Sequence, residues 1–277
     1  MDRPVTSASE AAIVDYYHAA GEDYLHWSPS LQMHFGYWAR GHWPWQREPM
    51  LHALSDAVLD RLALGPEPVG RVADLGCGVG ATARQLARRH VGIDLLGVTL
   101  VPAQVVRGRA LNRHAGLDPR VELCEADYRA LPVADASLVG AYAIESACYD
   151  PSGGVELIRE AARSLRPGAR LVVADAFRRR ASPLPLHAAR IEQGMREGWA
   201  LPGLASVEGF VAALAEAGFA KIVIEDVSLR VAPSLLHVPL AVLGFRLRQR
   251  EGRLHPRRVG NLRAPLWGLA AALLAPR

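Results

Sequence analysis

Residues 72–82 read VADLGCGVGAT: an apolar run, Asp74, glycines at Gly76, Gly78 and Gly80, and then the start of a helical pattern over ATARQLARRH (81–90). Glycines at alternate positions let the backbone take conformations closed to other residues and come close to a ligand. A helix that starts there presents free amides at its N-terminus. Few chains can use such a unit except an open α/β sheet, which holds ligands beyond the carboxyl ends of its strands.

The rest of the core keeps this alternation, as a sheet built from βαβ units requires. After the first strand (71–77) come strand 95–100, a helix over 102–115, strand 121–127 and strand 137–145. An amphipathic helix over 153–166 stops at RPG, and strand 170–177 follows. SVEGFVAALAEAGF (206–219) begins on a serine cap and stops at Gly218, before a sixth strand, KIVIEDVSL. No further strand is legible after Leu229. The expected fold is α/β: a doubly wound, mostly parallel Rossmann-like sheet with helices on both faces. An N-terminal helical cap (1–55), a core (56–230) and a helical, arginine-rich extension (231–277) divide it.

The cap is expected to be ordered because half of the chain's aromatic residues fall within its first 50 positions, in DYYHAAGEDYLHWSPSLQMHFGYWARGHWPW. With 277 residues, half of them hydrophobic and 22% charged, the chain has the makeup of one large globular domain and not of a disordered tail. Its cations, at a net charge of +4, are all arginine except Lys221. Cys77, Cys124 and Cys148 are odd in number and widely spaced, which indicates neither a disulfide framework nor a zinc site and fits a reducing cytosol. No run reaches the roughly 18 apolar residues a membrane span needs. APLWGLAAALLAP near the C-terminus is long enough only to lie on a membrane or in a core. The arginines at 246, 248, 250, 253, 257, 258 and 263 suit either anionic headgroups or a solvated helix face. No base-reading module accompanies them, so nucleic acid is not an expected partner.

Two chemistries suit the glycine loop. A dinucleotide fingerprint needs a third glycine where Ala81 stands, and an acid closing the second strand where Thr99 stands. The D-x-G-x-G-x-G spacing instead resembles motif I of the class I S-adenosylmethionine-dependent methyltransferases. The resemblance extends over roughly residues 12–230, through GVTLVPAQ (97–104), EADYRALPVADASL (125–138) and LIREAARSLRPGARLVVAD (157–175). It implies S-adenosylmethionine as cofactor, with Asp74, Gly76, Cys77, Gly78 and Gly80 around its amino-acid end. Thr99, Leu100 and Gln104 would lie near the ribose, and Asp127 with Tyr128 beside the adenine. Thr99 departs from the acid usual at that place, and a final antiparallel strand, also usual, is not found.

The stretch YAIESACYDP (142–151) resembles the YAIEATCHAP segment of sterol C-methyltransferases, with Tyr149 replacing a histidine. YYHAAGEDYLHWSPSLQMHFGYW resembles the aromatic first region of sterol and tocopherol methyltransferases. That likeness implies an apolar acceptor enclosed by Tyr24, Trp27, Phe35, Tyr37 and Trp38, with Tyr149 and Trp199 completing the chamber. An alkene acceptor leaves a carbocation, which needs aromatic faces and a base; an oxygen acceptor needs a base alone. Glu145 is the candidate base, or else a hydrogen-bonding anchor for the cap. His34 is the other candidate base, and Tyr24 is a third candidate catalytic residue. The implied activity is C-methylation of a terpenoid, sterol or related alkene in the cytoplasm, with peripheral membrane contact through the C-terminal segment. The alternatives are an O-methyltransferase of a quinone, phenol or polyketide, and a lipid carrier without catalysis.

Overall fold

The computed structural model describes residues 8–179, 181, 183–248, 258–264 and 266–267. Helices α1 (Ala8–Ala20), α2 (Asp23–Trp27) and α3 (Arg47–Leu62) precede the sheet. Strands β1 (Gly70–Leu75), β2 (Ile93–Thr99), β3 (Val121–Glu125), β4 (Leu138–Ile144) and β5 (Leu165–Ala174) follow, with α4 (Ala81–Arg89), α5 (Pro102–His114) and α6 (Val155–Ser164) between them. Helices α7 (Leu186–Trp199), α8 (Val207–Glu216), α9 (Ser228–Leu235) and α10 (Val238–Arg248) come last among the named elements.

Period-two alternation divides the core into two layers. Val72, Ile93, Leu95 and Tyr142 pack with Leu59 and Leu62 of α3 and Ala83 and Leu86 of α4. Their neighbours Ala73, Leu75, Leu96, Val98, Ala141 and Ala143 pack on the other face with Leu157 and Ile158 of α6 and Phe210 of α8. At roughly 1.5–3 kcal/mol per large aliphatic side chain fully buried, both layers must be filled for the sheet to persist. That is why these strands read as apolar on both faces.

All four pairings are parallel, in the order β3-β2-β1-β4-β5. The chain therefore winds outward in one direction from β1 and returns to start again at β4. Between those two strands lies the switch point at which open sheets hold ligands. The glycine loop leaves β1 there, and Glu145 leaves β4.

Three expectations are corrected. KIVIEDVSL makes no strand: residues 221–227 pair with nothing in the sheet, and Ser228 already begins α9. Side-chain contacts at its end lead that segment into α9. Glu225 pairs with Arg61 of α3 at 2.6 Å, Asp226 pairs with Arg179 at 3.0 Å, and Asp226 also accepts from the Ser228 amide at 3.0 Å to start the helix. β5 is thus the edge, and no strand follows it among the described residues. Secondly, α6 ends at Ser164, and Arg166-Pro167-Gly168 fall inside β5, where the ladder steps from Leu138 opposite Leu165 to Gly140 opposite Arg170. An edge strand tolerates a proline at such an irregularity because no partner needs its missing N–H. Thirdly, β4 stops at Ile144, so Glu145 stands one residue beyond the strand expected to contain it.

Candidate active site

The glycine loop is held by backbone geometry. Gly76, Gly78 and Gly80 have φ of 96°, 53° and 76°, and the amides of Gly76 and Cys77 both donate to the Val98 carbonyl, at 3.1 and 2.9 Å. A side chain at Gly76 would collide with Ser146, whose hydroxyl donates to the Leu75 carbonyl. Gly80 is the N-cap residue of α4 and does not line the cleft. Asp74 is buried beneath the loop, accepts from the Tyr142 hydroxyl at 2.9 Å and is raised to about 7 by that burial.

The far wall of the cleft is polar but largely satisfied. The Thr99 hydroxyl donates to Gln104 Oε1 at 2.6 Å, so these two residues bind each other where an acid would have bound a diol. Asp127 accepts from the Arg129 amide at 2.8 Å and from its guanidinium, which also reaches Glu10 of α1 and Glu156. Leu100 lines the same wall, and the Tyr128 hydroxyl donates to the Ser146 carbonyl at 3.3 Å. Ile13, Tyr17, Gln32 and Met33 of the cap close the opposite side, with the Met33 sulfur 3.0 Å from the place a Gly78 Cβ would take. About 100 Å³ of open space remains with the cap seated.

Glu145 joins this cleft to a second chamber, since it lines both. Its φ of 48° is unusual for a non-glycine residue. Two hydrogen bonds hold that backbone: its amide donates to the Ala174 carbonyl and its Oε1 accepts from the Phe35 amide, both at 2.8 Å. Burial, together with the nearby Asp175 charge and against the Phe35 N–H, pushes the carboxyl up to about 8. Asp175 ends β5 as Glu145 ends β4, receives the Cys148 amide at 3.0 Å and is raised to about 6 by burial.

Aromatic rings line the second chamber around these carboxyls. Phe35 packs edge-on to Trp27 at 5.9 Å and to Trp199 at 6.0 Å between centroids. The Tyr17 hydroxyl donates to Tyr149, and the Tyr149 hydroxyl to the Trp199 carbonyl, at 3.2 and 3.1 Å. Tyr24 shares a 3.0 Å hydrogen bond with Tyr16, and burial raises its hydroxyl pKa.

Not every expected residue joins this group. His34 lies against both spaces, but its Nδ1 faces the Phe35 carbonyl at 2.7 Å and its Nε2 faces Gln32 Oε1 at 3.0 Å and Ser55 at 3.3 Å. Burial lowers it to about 4, so it is neutral: Nδ1–H donates to the Phe35 carbonyl and Nε2 accepts from the Ser55 hydroxyl, which leaves it engaged in holding the cap. Trp38 lines neither space; it is 40% exposed and donates to the His42 carbonyl. Tyr37 faces the outer part of the chamber under the Arg230 guanidinium, 5.4 Å away. Both leave the inner site because Gly36 packs against Met50 and donates to Ser234 at 2.7 Å, turning the chain toward α9. Tyr17, Met33 and Asp175 were not expected in the site. Asp175 had a visible signal, an apolar strand closing on an acid just as the fourth does.

Comparison with known proteins bears on this geometry. The profile of a family described as "Methyltransferase domain" matches residues 72–168. The 24-methylenesterol C-methyltransferase 2 of Oryza sativa subsp. japonica is 33% identical over 227 residues, which are 80% of this chain and 57% of that one. The chain thus spans little more than half of that relative's length. O-methyltransferase resE of Aspergillus sclerotiorum is 32% identical over 82% of both chains. Among solved structures, the cyclase SpnF superposes with a TM-score of 0.76 at 25% identity, over 99% of this chain and 95% of that one. A geranyl diphosphate methyltransferase bound to its diphosphate and sinefungin superposes at 0.75 with 18% identity, over 96% and 95%, a likeness of fold alone.

Proposed function

The chain belongs to the family of S-adenosylmethionine-dependent methyltransferases, and from that premise we propose that it methylates a carbon of an uncharged, apolar acceptor such as a terpenoid or sterol alkene. The observation that carries this reading is the position of Glu145, between the cofactor cleft and a chamber of aromatic rings.

When bound, the cofactor supplies an electrophilic methyl group on a sulfonium. The left-handed glycines, the free amides at the start of α4 and the buried Asp74 fit its amino-acid end. Thr99 with Gln104, and Asp127 with Tyr128, would hold its ribose and adenine. With only about 100 Å³ open, against roughly 300–1,000 Å³ in ordinary ligand pockets, Met33 and its neighbours must move aside to admit it.

An alkene that gains a methyl group becomes a carbocation at the adjacent carbon. The faces of Tyr17, Tyr24, Phe35 and Trp199 stabilise that charge. The ionised Glu145 carboxylate then takes a proton from a neighbouring carbon, whose bonding pair forms the new double bond. A cation beside Glu145 favours its ionised form, offsetting the burial that holds its pKa up. Of the cations along the chamber, Arg178 is paired with the buried Glu192, Arg61 with Glu225 and Arg179 with Asp226, while Arg166, Arg170 and Lys221 also line it. The two carboxyls that meet at the chamber's inner end, Glu145 and Asp175, favour a neutral acceptor over a diphosphate ester.

The match to resE over 82% of both chains favours a second reading, O-methylation of a natural product, with Glu145 taking a hydroxyl proton. Purified protein with methyl-labelled cofactor, offered terpenoid and sterol alkenes, phenols and geranyl diphosphate, separates the possibilities. Label on carbon supports the first reading and label in an ether the second. Binding without transfer leaves a carrier, and preferred use of the diphosphate overturns the neutral acceptor. No described helix is long and apolar enough to cross a membrane. The peripheral contact expected of the C-terminal segment belongs to the same proposal. Its described part packs on α7 and the cap: Ala264 meets Gly198, Trp267 meets Gly194, and Asn261 accepts from Tyr16 at 2.6 Å. Arg246 and Arg248 lie in α10, and Arg250, Arg253, Arg257 and residues 268–277 lie outside the described residues.

A further inference from the structure

Helices α9 and α10 wall the acceptor chamber on one side only. Leu235 and Val238 are buried, and Ala241 and Val242 face the chamber. The opposite side carries Leu236, Leu240 and Leu243, with Leu236 60% and Leu240 69% exposed, and the exposed Leu229 stands at its border with the chamber. Leu229 lies in α9, Leu236 in the turn that follows it, and Leu240 and Leu243 in α10 at the i,i+3 spacing of one helix face.

A second apolar feature is fastened to this one. Trp43 and Trp45 stack at 4.7 Å between centroids while 60% and 65% exposed. Between them, the Pro44 carbonyl faces His237 Nε2 at 2.7 Å, at the junction of α9 and α10. The Trp38 amide donates to the Arg230 carbonyl at 2.7 Å, and the Arg230 guanidinium returns a bond to the Trp38 carbonyl at 3.1 Å. The loop and the helices thus form one surface.

Its charge is of a single sign. Residues 36–46 and 227–243 contain no acidic residue and include Arg40 and Arg230. Of the nearest acids in the chain, Glu225 and Asp226 are paired with Arg61 and Arg179, Glu48 accepts from the Ser28 hydroxyl at 3.0 Å, and Glu251 lies outside the described residues. Tryptophans and leucines backed by arginines are what the headgroup region of a negatively charged membrane accepts. Leu229 is both exposed and part of the chamber lining, so the surface borders an opening into the chamber.

We propose that the stripe on α9 and α10, with the Trp43–Trp45 loop, docks on an anionic lipid bilayer, from which the apolar acceptor enters past Leu229. The docking takes its purpose from the apolar-acceptor reading, but it is measured without acceptor or cofactor, so each fails separately.

The test is co-sedimentation of the full chain with vesicles of phosphatidylcholine alone and of equimolar phosphatidylcholine and phosphatidylglycerol. The wild type is expected to sediment with the anionic vesicles and to be released by salt. The pairs Leu236→Gln/Leu240→Gln and Trp43→Ser/Trp45→Ser should each weaken binding about tenfold or more. Both should keep wild-type affinity for S-adenosylhomocysteine, which reports that the fold is intact. Failure of the wild type to sediment, equal binding to both vesicles, or full binding by both variants would overturn the proposal. So would a wild-type dimer that the leucine variant dissolves, because the face would then belong to a second copy.

Discussion

The Phe35 amide donates to Glu145 Oε1 at 2.8 Å, so one carboxyl both faces the acceptor chamber and ties the cap to the end of β4. Base and anchor are the two roles open to Glu145, and a substitution can separate them. Glu145→Gln keeps an oxygen that accepts from Phe35 but cannot take a proton. It should lower turnover by about 100-fold or more, the usual contribution of a positioned base, with little change in S-adenosylhomocysteine affinity. Glu145→Ala should lose turnover and cap order together. Retained turnover in the glutamine variant would leave Glu145 as an anchor only.

The raised pKa of Glu145 also predicts how stability changes with pH. Its carboxyl moves from 4.5 to about 8 on folding, so its protonated form is favoured in the native state. Stability from this group is full below pH 4.5 and is lost as pH rises toward 8. Asp74, raised to about 7, acts in the same direction. His34, lowered from 6.5 to about 4, acts oppositely, but only as pH falls below 6.5. Between pH 6.5 and 8.5 the carboxyls alone remain, and the melting temperature of the ligand-free protein should fall across that window. The fall should be smaller in Glu145→Gln, and kcat/KM of the wild type should rise through an apparent pKa near 8. A wild type and variant with parallel melting profiles would remove Glu145 as the titrating group.

What the sequence revealed was set by local chemistry. The glycine loop, Asp74 and the succession of the first five strands along the chain follow from periodicity and turn residues, with β4 ending one residue early and β5 beginning already at Leu165. The sixth strand does not form: Ile222, Val223 and Ile224 have strand-like character but pair with nothing in the sheet, and the segment runs on through the ion-paired Glu225 and Asp226 into α9. Similarly, an aromatic cluster does not reveal which rings turn inward. Gly36 decides that for Tyr37 and Trp38 through its contacts with Met50 and Ser234, two residues remote in sequence. His34 has the neighbours of a base; only burial and its bonds to the Phe35 carbonyl and the Ser55 hydroxyl make it structural.

Two glycines with positive φ separate backbone strain from collision. Gly116 has φ 66° with nothing near the position of an added Cβ, whereas Gly76 has φ 96° with Ser146 in the way. Gly116→Ala should cost roughly 1–2 kcal/mol from its left-handed backbone. Gly76→Ala adds an overpacking penalty of about 1–3 kcal/mol and shifts the loop, so it should also lose S-adenosylhomocysteine binding. Denaturant melts and calorimetry on both variants check this, and equal losses would mean that Ser146 yields without cost.

The inward and outward aromatics should differ sharply when truncated. Phe35 lies between Trp27 and Trp199 in the chamber, while Trp38 is 40% exposed and bonded to the His42 carbonyl. Removing a ring that touches the acceptor forfeits about 1.5–3 kcal/mol of contact, or roughly 10- to 100-fold in kcat/KM. Phe35→Ala should show such a loss, with part of it in KM because the acceptor is held less well. Trp38→Ala should stay within about twofold of wild type, as a surface change away from the site does. An equal loss in both would mean that the loop after Gly36 folds back over the chamber when acceptor binds, bringing Trp38 into the site.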